Sequence, residues 1–334
     1  MMLHQDLFLS DNPRALAQVW SPDHRSRLAT IIPIAPLSLD RTQLPAHTPL
    51  LANVDAIFST WGMPELPERE LTFFPKLKIV FYAGGSIRPF ATPLLNRGIR
   101  VVNAAVANAI PVAEFALSQI LFSLKLGWQH VNALRQNPTP AAWCRLQLPG
   151  VYQAKVGIVS MGLIGQKLCE LLTPFQVEKL AYDPFLAPEV FAETGSIPSD
   201  LPTLFAQADV VSLHTPLLPT TTRLITGELI ASMKPSATLI NTSRGAIIRE
   251  DEMIAVLQSR PDLTAVLDVT HPQPPTPDSP LYDLPNVVMT PHIAGSLGRE
   301  VGRMADLMIE ECQAWQEGRP LRYATSEALP AHVA

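Results

Sequence analysis

The sequence predicts an α/β protein of two domains, one of which binds a dinucleotide. Its 334 residues are enough for two domains that each bury a core. Short apolar runs alternate with helical stretches through both halves, as parallel sheets covered by helices require. In the middle of the chain, Val156–Asp183 reads as strand, glycine turn, helix, strand and acid, the order of a dinucleotide-binding βαβ unit.

Composition and charge argue against several classes of protein. Hydrophobic residues make up 47% of the chain and charged residues 16%, a balance typical of a folded soluble enzyme. The net charge of −5 provides no basic surface, so a nucleic-acid partner is not expected. The most apolar run, 107–126, contains Pro111, Glu114 and Lys125, so we expect neither a membrane span nor a membrane partner.

The cysteines indicate a reducing compartment and no metal site. Cys144, Cys169 and Cys312 have no ligand spacing, and an odd number fits a protein without a disulfide framework. Cys169 lies in an apolar helical pattern, so we expect it to pack in a core. The charged N-terminal residues are unlike a signal peptide, and a cytoplasmic location is therefore expected.

Residues 1–103 predict a first, smaller α/β domain with a parallel sheet. Its expected strands are Leu7–Leu9, Thr30–Ile34, Ala56–Ser59, Lys78–Tyr82 and Arg100–Asn103. Open parallel sheets bind ligands at the carboxyl ends of their strands, which draws attention to Ser59–Gly62 and Tyr82–Ser86. Gly84 and Gly85 can present bare backbone N–H groups to an anion, although a plain turn is the alternative.

A buried helix and a long connection are expected between the two domains. Asn108–Glu114 predicts the start of the helix, with Pro111 in its first turn. The body that follows is apolar almost all round, which predicts burial on several sides, at an interdomain or subunit contact. Residues 129–150 are expected to form a proline-bearing connection.

The glycine turn departs from the usual pattern at its first position. Gly162 and Gly165 supply the last two glycines, which allow the pyrophosphate to approach the backbone and the helix to pack on the strand. Ser160 stands where the first glycine is expected and must adopt a tight turn with a Cβ attached. Asp183 is placed to bind the adenosine ribose. The alternative is an ordinary strand-to-helix turn.

The second half continues the same alternation to its end. Strands are expected at Ala208–Leu213, Ala237–Asn241, Thr264–Asp268 and Asn286–Thr290, and helices at Thr226–Met233, Arg249–Ser259 and Gly298–Glu317. Polar groups follow these strands and should converge on the edge that carries the glycine turn. Arg244 offers a planar fork for a carboxylate, and His292 can pass a proton to a carbonyl oxygen. Alone they could be a surface charge and a loop cap; together they indicate hydride transfer.

Several segments resemble the D-isomer-specific 2-hydroxyacid dehydrogenase family. They are VGIVSMGLIG, ADVVSLHTPLLPTTTRLI, LINTSRGAIIREDEMIAVL and AVLDVTHPQPPTPDSPLYDLPNVVMTPHIAG. The resemblance implies a Rossmann-type doubly wound NAD domain, residues 104–295, inserted in a smaller flavodoxin-like α/β substrate domain, residues 1–103 and 296–334. It also implies a homodimer that pairs through the NAD domains, and a small 2-oxo or 2-hydroxy acid as substrate.

The resemblance assigns roles to residues of this chain. Arg244 would bind the substrate carboxylate, and His292 would be the acid/base. Gly84, Gly85 and Asn108 would also contact the substrate. The implied NAD contacts are Gly162, Leu163, Ile164, Gly165, Asp183, His214, Thr215, Pro216, Thr242, Ser243, Arg244, Asp268, His292 and Gly295. Asp183 favours NAD over NADP because an acid repels the 2′-phosphate. Substrate specificity is expected at Trp61, Tyr82, Ser86, Ile87 and Arg88.

One departure from the family bears on catalysis. The family usually has a Glu in the segment D-V-x-x-x-E-P, and this chain has Gln273. An opposite charge would raise the pKa of His292 by roughly one to three units, whereas Gln273 can only hydrogen-bond to it. We therefore expect reduction of 2-oxo acids to be confined to more acidic pH. Formate dehydrogenases of the same superfamily carry this Gln, so formate oxidation is one alternative. A binding or sensor module with little catalysis is another.

Overall fold

The computed structural model describes residues 5–136, 139 and 149–326, and the chain divides into two compact units. Unit 1 consists of Met1–Asn108 and Ser296–Ala334, and unit 2 of Ala109–Gly295. The expected domain boundaries were 103/104 and 295/296. Cys144 and half of the connection 129–150 lie outside the described residues.

Unit 1 is built on a six-stranded sheet of order β13-β5-β4-β3-β1-β2. Its strands are β1 (Asp6–Leu9), β2 (Ile34–Leu39), β3 (Ala56–Ser59), β4 (Ile79–Tyr82), β5 (Arg100–Asn103) and β13 (Ala324–Thr325). The first five are parallel and β13 is antiparallel to β5. The order 2-1-3-4-5 is that of flavodoxin, so the predicted flavodoxin-like class is confirmed.

Short helices cover both faces of this sheet. They are α1 (Pro13–Val19), α2 (Pro22–Ala29), α3 (Thr48–Leu51), α4 (Glu68–Leu71), α5 (Ala91–Asn96) and the long α13 (Val301–Gln316). Neighbouring strand residues alternate between two cores: Leu7 and Leu9 belong to one, and Phe8 to the other. On the second face Phe58 stacks on Phe81 with ring centroids 5.1 Å apart. Burial on both faces explains why these strands are continuous apolar runs.

The second strand of unit 1 was predicted wrongly, at Thr30–Ile34. The amides of Thr30, Ile31 and Ile32 instead donate to carbonyls of the last turn of α2 and so end that helix. Pro33 has no amide hydrogen to give to a ladder, so β2 begins only at Ile34. The strand β2 lies at the edge of the sheet. An edge strand tolerates a proline at its start, because one side of the strand is unpaired.

Unit 2 is built on a seven-stranded parallel sheet of order β12-β11-β10-β9-β6-β7-β8. The strands are β6 (Lys155–Val159), β7 (Glu178–Tyr182), β8 (Ile197–Pro198), β9 (Val210–Leu213), β10 (Thr238–Asn241), β11 (Thr264–Leu267) and β12 (Val287–Met289). The order reverses between β6 and β9, which is the switch point where Rossmann-type sheets bind dinucleotides. The predicted Rossmann-type class is confirmed.

The helices of unit 2 follow its strands in alternation. They are α6 (Ala105–Ser123), which begins in unit 1, α7 (Gly127–Gln136), α8 (Leu163–Leu172), α9 (Pro188–Glu193), α10 (Leu201–Gln207), α11 (Gly227–Ala231) and α12 (Glu250–Ser259). Cys169 is buried in the core on one face of the sheet, as predicted. The opposite face carries Phe205, Met253 and Leu257.

Two predictions about the segment between the domains need correction. The helix α6 begins at Ala105, three residues before Asn108, and the Asn103 side chain accepts a hydrogen bond from the Ala105 amide at 3.0 Å in an Asx turn at this start. Pro111 therefore lies inside the helix. Part of the predicted connection is also helical, since α7 extends to Gln136.

In the part of the chain that the structure describes, α6 alone is long and apolar enough to cross a membrane. Its Ala113, Ala116 and Ile120 are fully buried in a core with Val156 and Ile158 of β6. A helix packed on a sheet in this way is a core helix of its unit.

The buried carboxylate of Glu311, in α13, binds Arg322 and Tyr323 near the end of the described chain. It is 1% exposed and accepts hydrogen bonds from the Arg322 amide, the Arg322 Nε and the Tyr323 amide at 2.9, 3.0 and 3.4 Å. The preceding residue, Glu310, contacts the same arginine, but its side chain is 61% exposed. Glu311 is therefore a buried anchor for Arg322 and Tyr323, whereas Glu310 forms only a surface ion pair with Arg322.

We expect Glu311→Ala to lower the free energy of unfolding by about 2 kcal/mol, because three hydrogen bonds to a buried acceptor are lost. Glu310→Ala should cost less than about 1 kcal/mol, since water screens an exposed ion pair. Urea unfolding of both variants against the wild type measures the difference. Equal losses would contradict the anchor.

Candidate active site

The glycine turn lies directly after β6, at the carboxyl edge of the unit 2 sheet. A Cβ on Gly165 would stand 2.3 Å from the Ser160 carbonyl oxygen, so only glycine permits this approach of helix to strand. A Cβ on Gly162 would meet no atom within 4 Å, which leaves open space beside the backbone. The helix α8 then begins at Leu163, and its first amides point to this space.

Asp183 holds the glycine turn as well as ending β7. Its Oδ2 accepts a hydrogen bond from the Met161 amide at 2.9 Å, and its Oδ1 accepts one from the Phe185 amide at 3.0 Å. The sequence predicted a contact to ribose and gave no sign of this bond, which joins two loops 22 residues apart. The carboxylate is thereby fixed at the edge where the turn lies.

Two buried polar atoms without partners lie at the ends of β9 and β10. His214 is 8% exposed, with Nε2 3.0 Å from the Ser212 hydroxyl and Nδ1 unpartnered among the described residues. Thr242 is 7% exposed, and its Oγ1 is unpartnered there too. The two residues follow adjacent strands, because Leu213 pairs with Asn241. Buried polar groups normally have partners, so this edge fits a ligand with hydrogen-bonding groups, as a dinucleotide has.

Asn241 shapes the loop that carries Arg244. Its Nδ2 donates to the Arg244 carbonyl at 3.0 Å, and its Oδ1 accepts from the amide and the hydroxyl of Ser243 at 3.0 and 2.7 Å. Gly245 follows, and a Cβ there would be 2.0 Å from the Thr270 carbonyl carbon. The loops after β10 and β11 are therefore in backbone contact, while the Arg244 side chain itself is exposed.

Asp268 organises the loop that carries His292. It is 2% exposed, and its carboxylate accepts hydrogen bonds from the Thr290 hydroxyl and the amides of Ile293 and Ala294 at 2.6, 2.8 and 2.9 Å. Its carbonyl oxygen accepts from the His292 amide at 3.0 Å. His292 adopts a left-handed conformation, φ +56°. These bonds are missing from the sequence-based prediction, which assigned Asp268 to the cofactor.

Gln273 contacts the imidazole of His292. The distance from Gln273 Nε2 to His292 Nδ1 is 2.8 Å. If the amide nitrogen donates, Nδ1 accepts and the proton of the neutral ring lies on Nε2. Burial and then the charge of Arg244 lower the pKa of His292, and the charge of Asp268 opposes them in part. No carboxylate hydrogen-bonds to the ring among the described residues, so the neutral imidazole is favoured.

In unit 1 the structure brings together Gly84, Gly85 and Asn108. A Cβ on Gly84 would be 2.6 Å from the Tyr82 ring, so the backbone lies directly on that ring. A Cβ on Gly85 would be 3.6 Å from the Asn108 Nδ2. The Asn108 Oδ1 accepts a hydrogen bond from the Ser296 amide at 3.0 Å. The amide of Asn108 is thus held beside the paired glycines.

Two of the residues expected to determine specificity are part of the core of unit 1. Tyr82 is 6% exposed and packs on Phe90 with ring centroids 4.8 Å apart, and burial raises its pKa to about 12. Ile87 is 2% exposed. Their burial leaves little of either side chain accessible to a ligand. Trp61, Ser86 and Arg88 are partly exposed.

Comparison with known proteins identifies a family. The family model described as "D-isomer specific 2-hydroxyacid dehydrogenase, NAD binding domain" matches residues 122–294. D-3-phosphoglycerate dehydrogenase of Synechocystis sp. is 34% identical over 254 residues, which are 75% of this chain and 45% of that protein. Glyoxylate reductase of Korarchaeum cryptofilum is 32% identical over 247 residues, 73% of this chain and 74% of that protein.

A solved structure is also similar to this chain. Formate dehydrogenase of Granulicella m. is 27% identical, with a TM-score of 0.68 over 85% of this chain and 77% of that chain. The chain spans about half the length of the phosphoglycerate dehydrogenases that it matches.

The buried imidazole of His214 predicts a loss of stability in acid. Burial lowers its pKa from 6.5 to about 4, and the unfolded chain would return it to the ordinary value. The unfolded state therefore binds more protons between these two values, so the free energy of unfolding falls as pH falls through them. At about 1.4 kcal/mol per pKa unit the loss is about 3 kcal/mol.

We expect His214→Asn to remove this part of the pH dependence, because Asn carries no titrating group. Urea unfolding at about pH 7 and about pH 4 should show a smaller difference for the variant than for the wild type. His47→Asn, at a partly exposed position, is the control and should behave as the wild type. A variant with the full wild-type pH dependence would contradict the role of His214.

Proposed function

This chain belongs to the D-isomer-specific 2-hydroxyacid dehydrogenase family, and we propose that it interconverts a 2-oxo acid and a D-2-hydroxy acid with NAD. The observation that carries the proposal is the carboxyl edge of unit 2. The loops after β10 and β12, which carry Arg244 and His292, lie at the same carboxyl edge of the sheet as the glycine turn after β6. Hydride transfer to a keto acid needs a bound dinucleotide, a cation that holds the carboxylate and a group that supplies a proton. The sheet edge, the Arg244 guanidinium and the His292 imidazole are proposed to meet these needs.

The proposed NAD-binding groups all belong to that edge. NAD, when bound, accepts or supplies the hydride. The open backbone at Gly162 and the first amides of α8 suit a pyrophosphate. The unpartnered Nδ1 of His214 and Oγ1 of Thr242 offer hydrogen bonds to its polar groups. The fixed carboxylate of Asp183 suits ribose hydroxyls and would repel the 2′-phosphate of NADP.

We assign the substrate carboxylate to Arg244. A guanidinium can give two parallel N–H bonds to a carboxylate, and among the described residues the Arg244 side chain donates only to the Ser243 carbonyl, at 2.7 Å. In unit 1, the amides of Gly84 and Gly85 and the side chain of Asn108 are further proposed substrate contacts. Their support is the juxtaposition of the paired glycines and the Asn108 amide.

His292 is the proposed acid/base, acting through Nε2 because Nδ1 faces Gln273. In reduction the Nε2–H of the protonated ring would donate its proton to the carbonyl oxygen. In oxidation the neutral ring would carry its own proton on Nδ1, with the Gln273 side-chain amide turned so that its oxygen accepts from Nδ1–H, and Nε2 would accept the hydroxyl proton. The lowered pKa of His292 leaves little of the protonated ring at neutral pH. Reduction should therefore increase as pH falls, and oxidation should persist at neutral pH.

A homodimer and a cytoplasmic location remain part of the proposal. Phe122 of α6 is 40% exposed and contacts the partly buried Trp128 of α7, with ring centroids 4.9 Å apart. An exposed aromatic residue on an apolar helix suits a subunit contact.

A second candidate function is hydride transfer from formate. The Gln273–His292 contact favours it, because a neutral imidazole held by an amide can bind a small anion without moving a proton. The likeness to a formate dehydrogenase at 27% identity adds support. A binding or sensor module with little catalysis is the third possibility, and it predicts NAD binding without turnover.

An NADH absorbance assay separates these functions. We expect NADH consumption with one or more of glyoxylate, hydroxypyruvate, pyruvate and bulkier 2-oxo acids, with slower reaction of NADPH. NAD reduction by formate alone would replace the first proposal with the second. Stabilisation by NAD in thermal unfolding, with no turnover of any acid, would favour the binding module.

Arg244→Lys tests the carboxylate contact in the same assay. Lysine keeps the charge and loses the paired N–H geometry, so we expect kcat/KM to fall about 30-fold, or about 2 kcal/mol. The matched control is Arg249→Lys, since Arg249 lies five residues along and pairs with Glu252. Equal activity of the two variants would argue against the proposed role of Arg244.

Gln273→Glu tests the support of His292. A carboxylate at 273 should raise the pKa of His292, so the pH at which reduction is half-maximal should rise by roughly one to three units. The pH–rate profile of the wild type and the variant measures this shift. His271→Gln, at an exposed neighbouring position, is the control. An unchanged profile in Gln273→Glu would remove the proposed link between Gln273 and His292.

A further inference from the structure

Ser160 adopts a conformation that glycine would adopt without cost. Its φ is +75°, in the left-handed region, where an L residue with a Cβ is strained. It stands at the position of the first glycine in the dinucleotide-binding turn. The surrounding structure must hold such a residue in its strained conformation. The contacts of Ser160 therefore indicate what this conformation contributes to the site.

The hydroxyl of Ser160 joins the two loops at the switch point of the sheet. Its Oγ donates to the Thr215 Oγ1 at 3.0 Å, and Thr215 is 2% exposed. The Thr215 hydroxyl in turn lies 3.5 Å from the Val159 carbonyl. The bond therefore links the loop after β6 to the loop after β9, which are the strands on either side of the reversal. A glycine in place of Ser160 could not make it.

The backbone of Ser160 also sets the position of the helix that follows. Its amide donates to the Tyr182 carbonyl at 2.7 Å, at the end of β7. Its carbonyl oxygen is the atom against which Gly165 packs. Ser160, in the loop after β6, thus contacts the loop after β9, the end of β7 and the first turn of α8. A shift of Ser160 would move the amides that begin α8.

We propose that Ser160 is a positioning residue for the dinucleotide, and that its hydroxyl holds the glycine turn in the cofactor-binding conformation through Thr215. A turn fixed before binding loses less conformational freedom when the cofactor arrives, so affinity increases. The proposal deepens the cofactor half of the function above and rests on NAD binding, not on the identity of the acid.

Two substitutions distinguish the contribution of the Ser160 hydroxyl to NADH binding from the contribution of its backbone conformation. Ser160→Ala keeps the Cβ and removes the hydroxyl, and Ser160→Gly removes both. We expect each to raise the Kd for NADH about three- to tenfold, the effect of one hydrogen bond. If the backbone alone mattered, Ser160→Ala would bind as the wild type and Ser160→Gly at least as tightly. Titration of NADH fluorescence measures the Kd independently of turnover.

Matched controls exist in the same unit. Gln153→Gly changes another left-handed residue, with φ +59°, before β6 at the opposite edge of the sheet. Ser259→Ala removes a hydroxyl bonded to the Val256 carbonyl at the end of α12. Both should keep the wild-type Kd, and thermal unfolding should show that all variants are folded.

A double-mutant cycle tests the bond itself. Thr215→Val should weaken NADH binding in the wild type and add little in Ser160→Ala, because the hydroxyl pair is already broken. For an active enzyme the KM for NADH should rise in Ser160→Ala while kcat at saturating NADH stays unchanged. Additive effects, or an unchanged Kd in Ser160→Ala, would overturn the proposal. Normal NADH binding without turnover would overturn only the proposed reaction.

Discussion

The carboxylate of Asp268 is the interaction on which the edge of unit 2 depends. It is buried, and three donors from the loop after β12 satisfy it, so movement of the loop would leave a buried carboxylate without partners. Asn241 holds the loop of Arg244 by accepting from the Ser243 amide and donating to the Arg244 carbonyl. Asp183 accepts from the Met161 amide of the glycine turn. In each case a polar side chain at a strand end accepts an amide hydrogen that the sheet no longer pairs.

Much of the fold follows from local pattern. Buried parallel strands are apolar runs bounded by polar loops, so Ala56–Ser59 and Arg100–Asn103 were predicted with the bounds that the structure has. The prediction failed where a side chain or a missing amide bears on the boundary: Pro33 delays β2, and α6 begins at the Asx turn of Asn103. The two-residue strand β13 has no local signature, because its anchor is Glu311 of a preceding helix.

The candidate site was predictable to the extent that it follows the strand ends. Arg244 and His292 were identified by their position after apolar runs, and the topology places both loops on one edge of unit 2. The bonds of Asp268 to Ile293 and of Ser160 to Thr215 were not predictable, since they join residues 25 and 55 positions apart. Burial of Tyr82 also depends on tertiary packing, against Phe90, and not on its own segment.

The backbone contact at Gly245 limits how this chain can change during evolution. No side chain fits between Gly245 and Thr270, so a change in the segment of Arg244 requires a matching change in the segment that leads to Gln273. The partly exposed Trp61 and Ser86 of unit 1 are expected to tolerate substitution more readily. Diversified libraries that leave 241–245 intact and vary those positions would sample folded proteins.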